Sequence, residues 1–509
     1  MKRALPWQHA PSWAQRHLTR GLAHLAHLLV LALLIPSLAL AEPSPPLTNR
    51  DYALDLHQGA VLGSTRVIGL GGAYVAIADG SEGIRQNPAA AVNRTYFGNA
   101  HFNWTWHVDF VFGSTFGSLN LDLDNNGHAS KADAFLLTAG LAFQYGNFGV
   151  GISLNWHQFD LGTIGNAGVS YLASLLDAHL AAGYAFFDHQ LIVSGAFRAG
   201  SLSLALSDHG GEDSLFDISV IGVEAGVLFR PRRWPLRFGA TFSVAFDRTQ
   251  DTTCDTNCPT GFFLPNRVTL PWELRLGVAY RLGVGRFNPL PAFIQKAQKQ
   301  AENRTRARRE VKRERAKTER ADHTHAGAQP LEGPARTPVT PAQTKHPMTA
   351  KATQPTSHPI SHPGASTTTR PAPSPPRTSP LRVDLDRDYR GGRYFLISSE
   401  LVIIGPSKNA TGPNGFADQV HENVGENVVV SIHIGAETEV WRRRLRLRLG
   451  SYWEPSRYQD RWGRIHGTAS ILLRLFDFSL WGHHALSWAP CVDVASNYLN
   501  ISFLVSFWH

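Results

Sequence analysis

The sequence predicts an all-β fold: a transmembrane antiparallel β-barrel of about fourteen strands, with an N-terminal segment held in the lumen and a long disordered insert. Three observations predict it. Charged residues are only 17% of the 509, aromatics are 10%, and there are 45 glycines, a mixture poor for helices and good for twisted strands outside water. Runs of about ten residues alternate apolar and polar and then turn, which is the pattern of strands with one lipid face and one lumenal face. Finally, after the first forty residues no apolar run approaches the roughly 20 residues a spanning helix needs, so any membrane crossing falls to strands, which in lipid must close into a barrel.

Residues 1–41 read as a secretory signal. Lys2, Arg3, Arg16 and Arg20 supply its positive end, an apolar run extends from Leu22 to Leu40, and Ala39-Leu40-Ala41 has the small-x-small form of a cleavage site. Cleavage near Ala41 would start the mature chain at Glu42; the alternative is an uncleaved anchor. At this length a soluble chain would be expected to split into two or three domains, whereas a barrel needs no central core.

Residues 42–95 form the next unit, expected to act as a hatch. Arg66 to Ala91 reads RVIGLGGAYVAIADGSEGIRQNPAAA. Gly69, Gly71 and Gly72 allow close backbone approach or positive φ. The run Ala73 to Ala78 is short and apolar and needs a covering surface. Asp79 and Gly80 break it, and Asn87-Pro88 sets a second turn. The Gly-Gly-Ala run, the acidic turn and the Asn-Pro-Ala motif, in that order, resemble the N-terminal hatch of the outer-membrane transporters for long-chain fatty acids and aromatic hydrocarbons, and of PorV-type barrels. Leu447 to Ser456, LRLGSYWEPS, is similar to a late strand of that family. The resemblance implies fourteen strands, a lumenal hatch and passage of apolar substrates sideways through a gap in the wall.

Strands 1–8 are expected within 96–283 and strands 9–14 within 391–509. They are read near 97–112, 133–144, 147–159, 174–186, 189–206, 214–230, 235–249, 267–283, 392–405, 424–440, 441–454, 466–476, 484–493 and 497–508. In Leu270 to Gly283 the set Trp272, Leu274, Leu276, Val278, Tyr280 and Leu282 shares one face, while Glu273, Arg275 and Arg281 share the other. Phe148, Val150, Ile152, Leu154 and Trp156 stand opposite Gly149, Gly151, Ser153 and Asn155 in the same way. Short connections at Gly146-Asn147, Asp188-His189, Arg230 to Pro235 and Trp441 to Arg443 follow even strands, so the first strand should run outward and the last inward, with both termini in the periplasm or lumen. The last strand ends Phe507-Trp508-His509, resembling the aromatic assembly signal of outer-membrane barrels except for the extra histidine.

Residues 284–390 break the pattern. Lys296 to Arg320 is a charged stretch, and Ala326 to Pro380 is rich in Pro, Thr, Ser and His with little to bury, as disordered segments are. From 291 to 381 about sixteen Lys or Arg stand against about six acids, which accounts for the formal net charge of +9. The basic balance therefore belongs to the insert and gives no reason to expect nucleic acid. Its expected partner is the anionic cell wall, peptidoglycan, through a salt-screened tether; a solvated linker or charged single helix is the alternative.

Four groups are candidate sites. Asp122, Asp124, Asn126 and Gly127 with Asp133 at the twelfth place offer oxygen ligands spaced as in a calcium loop, or else a polar hairpin tip. Cys254 and Cys258 enclose three residues in a long connection of an oxidising compartment and are expected to form a local disulfide. Arg444, Arg446 and Arg448 would make a lumenal ladder beside Glu437 and Glu439. That ladder would hold a substrate carboxylate, bind the hatch through Asp79 or Glu82, or balance lumenal charge. No catalytic set stands out: the histidines are scattered, no Ser-His-Asp order occurs, and Gly69-Leu70-Gly71 does not continue into a phosphate-binding fingerprint. The expectation is a monomeric outer-membrane channel, without enzymatic activity or a cofactor other than calcium, for passive uptake of hydrophobic or amphipathic small molecules. The alternative is a PorV-like partner in secretion or assembly.

Overall fold

Alternation puts apolar side chains on one face of each strand, and pairing every backbone group in lipid then requires a sheet with no free edge. A computed structural model of the chain describes residues 45–93, 101–112, 122, 125, 133–163, 170–206, 214–249, 263–283, 287–288, 300, 303–314, 316, 394–441, 444–458, 461–479 and 483–508. In chain order the strands are β1 (Ala53–Asp55), β2 (Phe102–Phe112), β3 (Asp133–Tyr145), β4 (Phe148–Thr163), β5 (Ser170–Phe186), β6 (Leu191–Leu206), β7 (Ser214–Phe229), β8 (Leu236–Ser243), β9 (Phe246–Thr249), β10 (Arg267–Leu270), β11 (Glu273–Gly283), β12 (Tyr394–Ile404), β13 (Ala410–Thr411), β14 (Val429–Trp441), β15 (Leu445–Glu454), β16 (Arg464–Ser479), β17 (His483–Ala495) and β18 (Tyr498–Trp508). Fourteen of them, β2 to β8, β11, β12 and β14 to β18, close into an antiparallel barrel. The seam is β18 on β2, with Phe503 opposite Phe110.

The outer face carries the apolar set. Phe197, Ile221, Val223, Phe238, Phe242, Leu276, Val278, Ile432, Ile434 and Ile471 are exposed, Ile221 at 78%. A continuous apolar exterior on a closed sheet is a lipid-facing surface. Inward positions, one residue out of phase, include buried polar groups: His107 and Asp109 on β2, Asn155 and His157 on β4, Asp177 and His179 on β5, Glu437 and Glu439 on β14. Among the described residues no helix is long and apolar enough to cross a membrane.

Two expected strands end differently from the reading above. The run 235–249 leaves the barrel after Ser243, and the run 267–283 joins it only from Glu273. The detached pieces, β9 and β10, pair with each other and form a separate four-stranded sheet in the order β13-β1-β10-β9. Pro271 marks the break, since a proline cannot donate to a continuing ladder. β1 lies in the interior of this sheet, parallel to β10 (Leu54 opposite Val268) and to β13 (Leu54 opposite Thr411).

The turns also refine the parity. Gly146-Asn147 joins β3 to β4 and Phe187 to Gln190 joins β5 to β6 at one end of the barrel. At the opposite end, which carries the long connections 244–272 between β8 and β11 and 405–428 between β12 and β14, one tight turn also occurs, Ser496-Asn497 between β17 and β18. Asn497 takes φ 53° there, a left-handed conformation asparagine tolerates. Because β1 pairs with strands from those long connections, the start of the described chain, Pro45 to Asp55, sits at the long-connection end.

The chain divides into two compact units, Met1–Ala297 with Asp388–His509, and Gln298–Arg387. In the second, residues 303–314 are helical and exposed throughout. Arg306 and Glu310 pair at 3.1 Å one turn apart, the spacing that supports an isolated charged helix.

Candidate functional site

Residues 64–93 lie among the inward side chains of the half of the lumen nearer the tight turns. Ser64 caps the short helix α1 (Thr65–Gly69), its hydroxyl accepting from the Val67 amide. Gly71 and Gly72 then take φ of 60° and 79°. A Cβ on Gly71 would stand 2.7 Å from the Ser451 backbone nitrogen, and one on Gly72 would stand 2.7 Å from the His433 ring. Both positions therefore need glycine for conformation and for approach. Gly69 is similarly tight, its Cβ position 2.5 Å from that of Ser470. Every residue from Ala73 to Ala78 is fully buried. The wall covers this run with acceptors and donors: the Glu400 carboxylate accepts from the Tyr74 and Val75 amides, both at 2.8 Å, Asp109 accepts from the Thr65 amide at 2.8 Å, and the Ser398 hydroxyl donates to Ala73 O at 2.5 Å. Asn87 caps the 3-10 turn Pro88–Ala91 by accepting from the Ala89 amide, and its amide donates to Val75 O at 2.9 Å.

Charge fixes the same segment at two points. Arg66 Nε donates to Glu437 Oε2 at 3.3 Å and its Nη1 donates to the Tyr74 hydroxyl at 3.0 Å. Arg448 Nε reaches the same Glu437 oxygen at 2.7 Å, and Tyr394 donates to the other at 2.6 Å. Asp79 accepts from Arg237 at 2.8 Å and from Asn93 at 2.8 Å, with Arg66 3.7 Å away. Arg237 in turn donates to Asn288 at 2.9 Å, and Arg230 donates to Asn93. Glu82 keeps a buried oxygen without a protein partner. Burial raises its carboxyl above the usual range, against the smaller pull of Arg66 and Arg448.

The predicted ladder is thus shorter than expected. Arg448 and Arg446 face the lumen, Arg446 standing 3.9 Å from Glu439, and Glu437 is what joins Arg448 to Arg66 of the enclosed segment. Arg444 is corrected out of the set. The turn after β14 ends only where β15 begins at Leu445, so Arg444 lies exposed in that turn and its guanidinium donates to Leu475 O at 3.2 Å.

Farther along the lumen, a cavity of about 110 Å³ separates residues 56–62 and 85–86 from the wall. One side is ionic. Arg198 grips Asp177 with two bonds, at 2.8 and 3.1 Å. Arg85 stands 3.4 Å from the same carboxylate, and His179 lies between Asp177 at 3.3 Å and Glu224 at 3.4 Å. Beside the cavity, Leu202, Leu204, Ile218 and Val220 point inward from β6 and β7 and pack with Tyr52, Leu54, Phe246, Val268 and Leu270 of the small sheet and its approaches, of which Phe246 and Leu270 also line the cavity. Asp55 ties β1 to Arg457 at 2.8 Å.

A third group escaped the sequence reading. His433, Tyr452, His466 and Tyr498 form a row of rings across β14 to β18, with centroids 5.1, 4.1 and 4.9 Å apart. His466 faces Asp493 at 2.9 Å through Nδ1 and Glu454 at 2.6 Å through Nε2. Arg464 Nε also donates to His466 Nε2 at 3.1 Å. The row meets the N-terminal segment at Val61, whose amide donates to the Tyr452 hydroxyl at 3.1 Å, and at Gly71, whose carbonyl lies 2.6 Å from His433 Nδ1. Only the alternating inward register of His433, Tyr452 and His466 could have signalled it, because their pairing depends on strand register.

Cys254 and Cys258 lie outside the described residues, as do Asp124 and Asn126 of the calcium reading. Asp122 stands 3.7 Å from Arg464, and Asp133 begins β3. Among the described residues no three His, Cys, Asp or Glu side chains gather as a metal site. Cys491 is buried.

No protein-family model matches the chain, and no curated protein matches it in sequence. Solved structures resemble it in the course of the chain. The toluene transporter TbuX of Ralstonia pickettii shares 9% identity, with 87% of this chain and 96% of that one covered and a TM-score of 0.39. A Pseudomonas aeruginosa FadL homologue shares 9%, with 89% and 98% covered and a TM-score of 0.43. The toluene transporter TodX of Pseudomonas putida shares 10%, with 90% and 99% covered and a TM-score of 0.39.

Proposed function

We propose that the protein is a monomeric outer-membrane channel for passive uptake of hydrophobic or amphipathic small molecules, exported by a signal cleaved near Ala41, with residues 64–93 acting as the hatch. The observation that carries this reading is the inward apolar patch Leu202, Leu204, Ile218 and Val220, which is covered by Tyr52, Leu54, Phe246, Val268 and Leu270 of the small sheet and its approaches. A water-filled pore has no use for such a patch, whereas displacing that cover would offer it to an apolar solute entering from the long-connection end. Beyond it the axial path is filled by Ala73 to Ala78 and its bonds to the wall. A sideways exit has a candidate place: β8 pairs with β7 only as far as Ser243 opposite Glu224, so among the described residues β7 from Ser214 to Val223 runs past its barrel neighbour. Phe246 packs at that place, beside Gly222 and Gly200.

The test is uptake of a labelled long-chain fatty acid and of toluene by proteoliposomes holding the full chain, with Phe246→Ala and Leu204→Asp as variants. The reading expects uptake well above empty vesicles, raised in Phe246→Ala and reduced severalfold in Leu204→Asp. Uptake equal to that of empty vesicles for both compounds overturns it. The basic segment 291–381 is assigned the peptidoglycan tether, read by retention of the full chain on purified cell wall that salt abolishes.

A further inference from the structure

The ionic side of the cavity is not evenly satisfied. Glu224 is buried, and while one carboxylate oxygen faces His179 at 3.4 Å, no protein donor reaches the other, Oε1. Gln86, also buried, donates through Nε2 to Leu62 O, and its Oε1 likewise has no protein donor. Both residues line the same cavity. Two buried acceptors in one space each carry the desolvation cost of an unmade hydrogen bond. Arg457, also on the lining, has one donor, Nε, without a partner.

Resting on the channel reading, we propose that this cavity is a binding site for a small ring or short chain bearing a neutral hydroxyl, such as a phenol, with Glu224 or Gln86 accepting from it. Three features select that chemistry. The orphan oxygens require a donor, which a hydrocarbon lacks and a carboxylate substrate lacks as well. An ammonium would also donate, but Arg85, Arg198, Arg275 and Arg457 on the lining oppose a further cation. Apolar side chains, Leu56, Leu175, Phe246, Leu270, Val402 and Ile404, stand among the polar ones of the lining and suit a ring. A hydroxyl carries one hydrogen, so it bonds one of the two acceptors at a time, the charged Glu224 oxygen before that of Gln86. The volume is of the order of the roughly 150 Å³ that holds a single benzene ring in an engineered cavity. A site built to bond a hydroxyl discriminates strongly against the analogue without one, because its own polar atoms are then left unpaired.

The experiment is calorimetry of 4-methylphenol and toluene, two compounds that differ by one hydroxyl, on the detergent-solubilised full chain. The quantity read is the ratio of the two dissociation constants. In Glu224→Leu that ratio is expected to move about tenfold or more toward toluene, in Gln86→Met to move the same way by less, and in Glu224→Gln, which keeps an acceptor oxygen, to stay near the starting value. An unchanged ratio in Glu224→Leu, or in Gln86→Met should the first variant not fold, overturns the assignment, as does failure of 4-methylphenol to bind. Proteoliposome uptake of toluene, run beside it, reads the channel separately: uptake with an unchanged ratio rejects the hydroxyl site and keeps the channel, and a shifted ratio without uptake does the reverse.

Discussion

Residues 64–93 and residues 45–56 belong to one continuous stretch inside the barrel, yet different forces hold them. The first is fixed by short, charge-assisted bonds to buried wall residues: Arg66 and Arg448 on Glu437, Arg237 on Asp79, two amides on Glu400. The second is held by three residues of parallel strand pairing, by the apolar cluster around Tyr52 and Leu54 and by a single buried ion pair, Asp55 with Arg457 at 2.8 Å. Cutting any ionic bond of the first strands a buried charge, so that half cannot loosen by degrees. The second half has one such pair, at Asp55; its remaining contacts can loosen stepwise, because water replaces its backbone partners and its apolar cost grows with the area exposed. Movement inside the barrel is therefore expected at the long-connection end, with residues 64–93 as a fixed floor.

The largest test of this contrast is Glu437→Ala. It leaves Arg66 and Arg448 buried without their carboxylate and should destabilise by about 3–5 kcal/mol. Heat-dependent gel mobility should show a lower transition, and residues 64–93 should become open to protease; a transition at the wild-type temperature breaks the contrast at its inner end. Leu54→Ala should cost about 2–3 kcal/mol, confined to the second half. Hydrogen exchange should then rise over residues 45–56 and stay low over 64–93, and a rise spread over both would show them to be one unit. The smallest effect is that of pH on Glu82. Its carboxyl is raised on folding, so its contribution to stability is whole below the ordinary value of about 4.3 and is lost as pH rises through the folded one. Residues 64–93 should be held more firmly at pH 5 than at pH 8, and Glu82→Gln should flatten that slope; an unaltered slope in the variant assigns it to another group.

The barrel was legible because alternation is a local property: Phe148 to Trp156 announces its lipid face without knowledge of its neighbours. So was the buried run Ala73 to Ala78, whose lack of polar side chains asks for cover. The small outer sheet was not, since Phe246–Thr249 and Arg267–Leu270 continue the alternation of the barrel strands beside them, and only Pro271 hinted at a break. β1 is three residues long and gains its place from partners more than two hundred residues away. Arg444 was misplaced because its phase is right but the turn leaves it outside the strand. The pairs that define the site, Arg66 with Glu437 and the orphan oxygens of Glu224 and Gln86, arise from tertiary proximity across the lumen and leave no trace in spacing.

The seam between β18 and β2 joins the end of the chain to the strand that directly follows the enclosed segment. Until those two edges zip together the circle is open and residues 45–93 can be laid in from the side; afterwards only lengthwise travel is left to them. Since the segment continues into β2 at the tight-turn end, withdrawal would have to run toward that end, drawing β1 out of its slot between β10 and β13. Biogenesis must accordingly settle residues 45–93 before the final strand locks, and a chain that closes too early would enclose an empty tube.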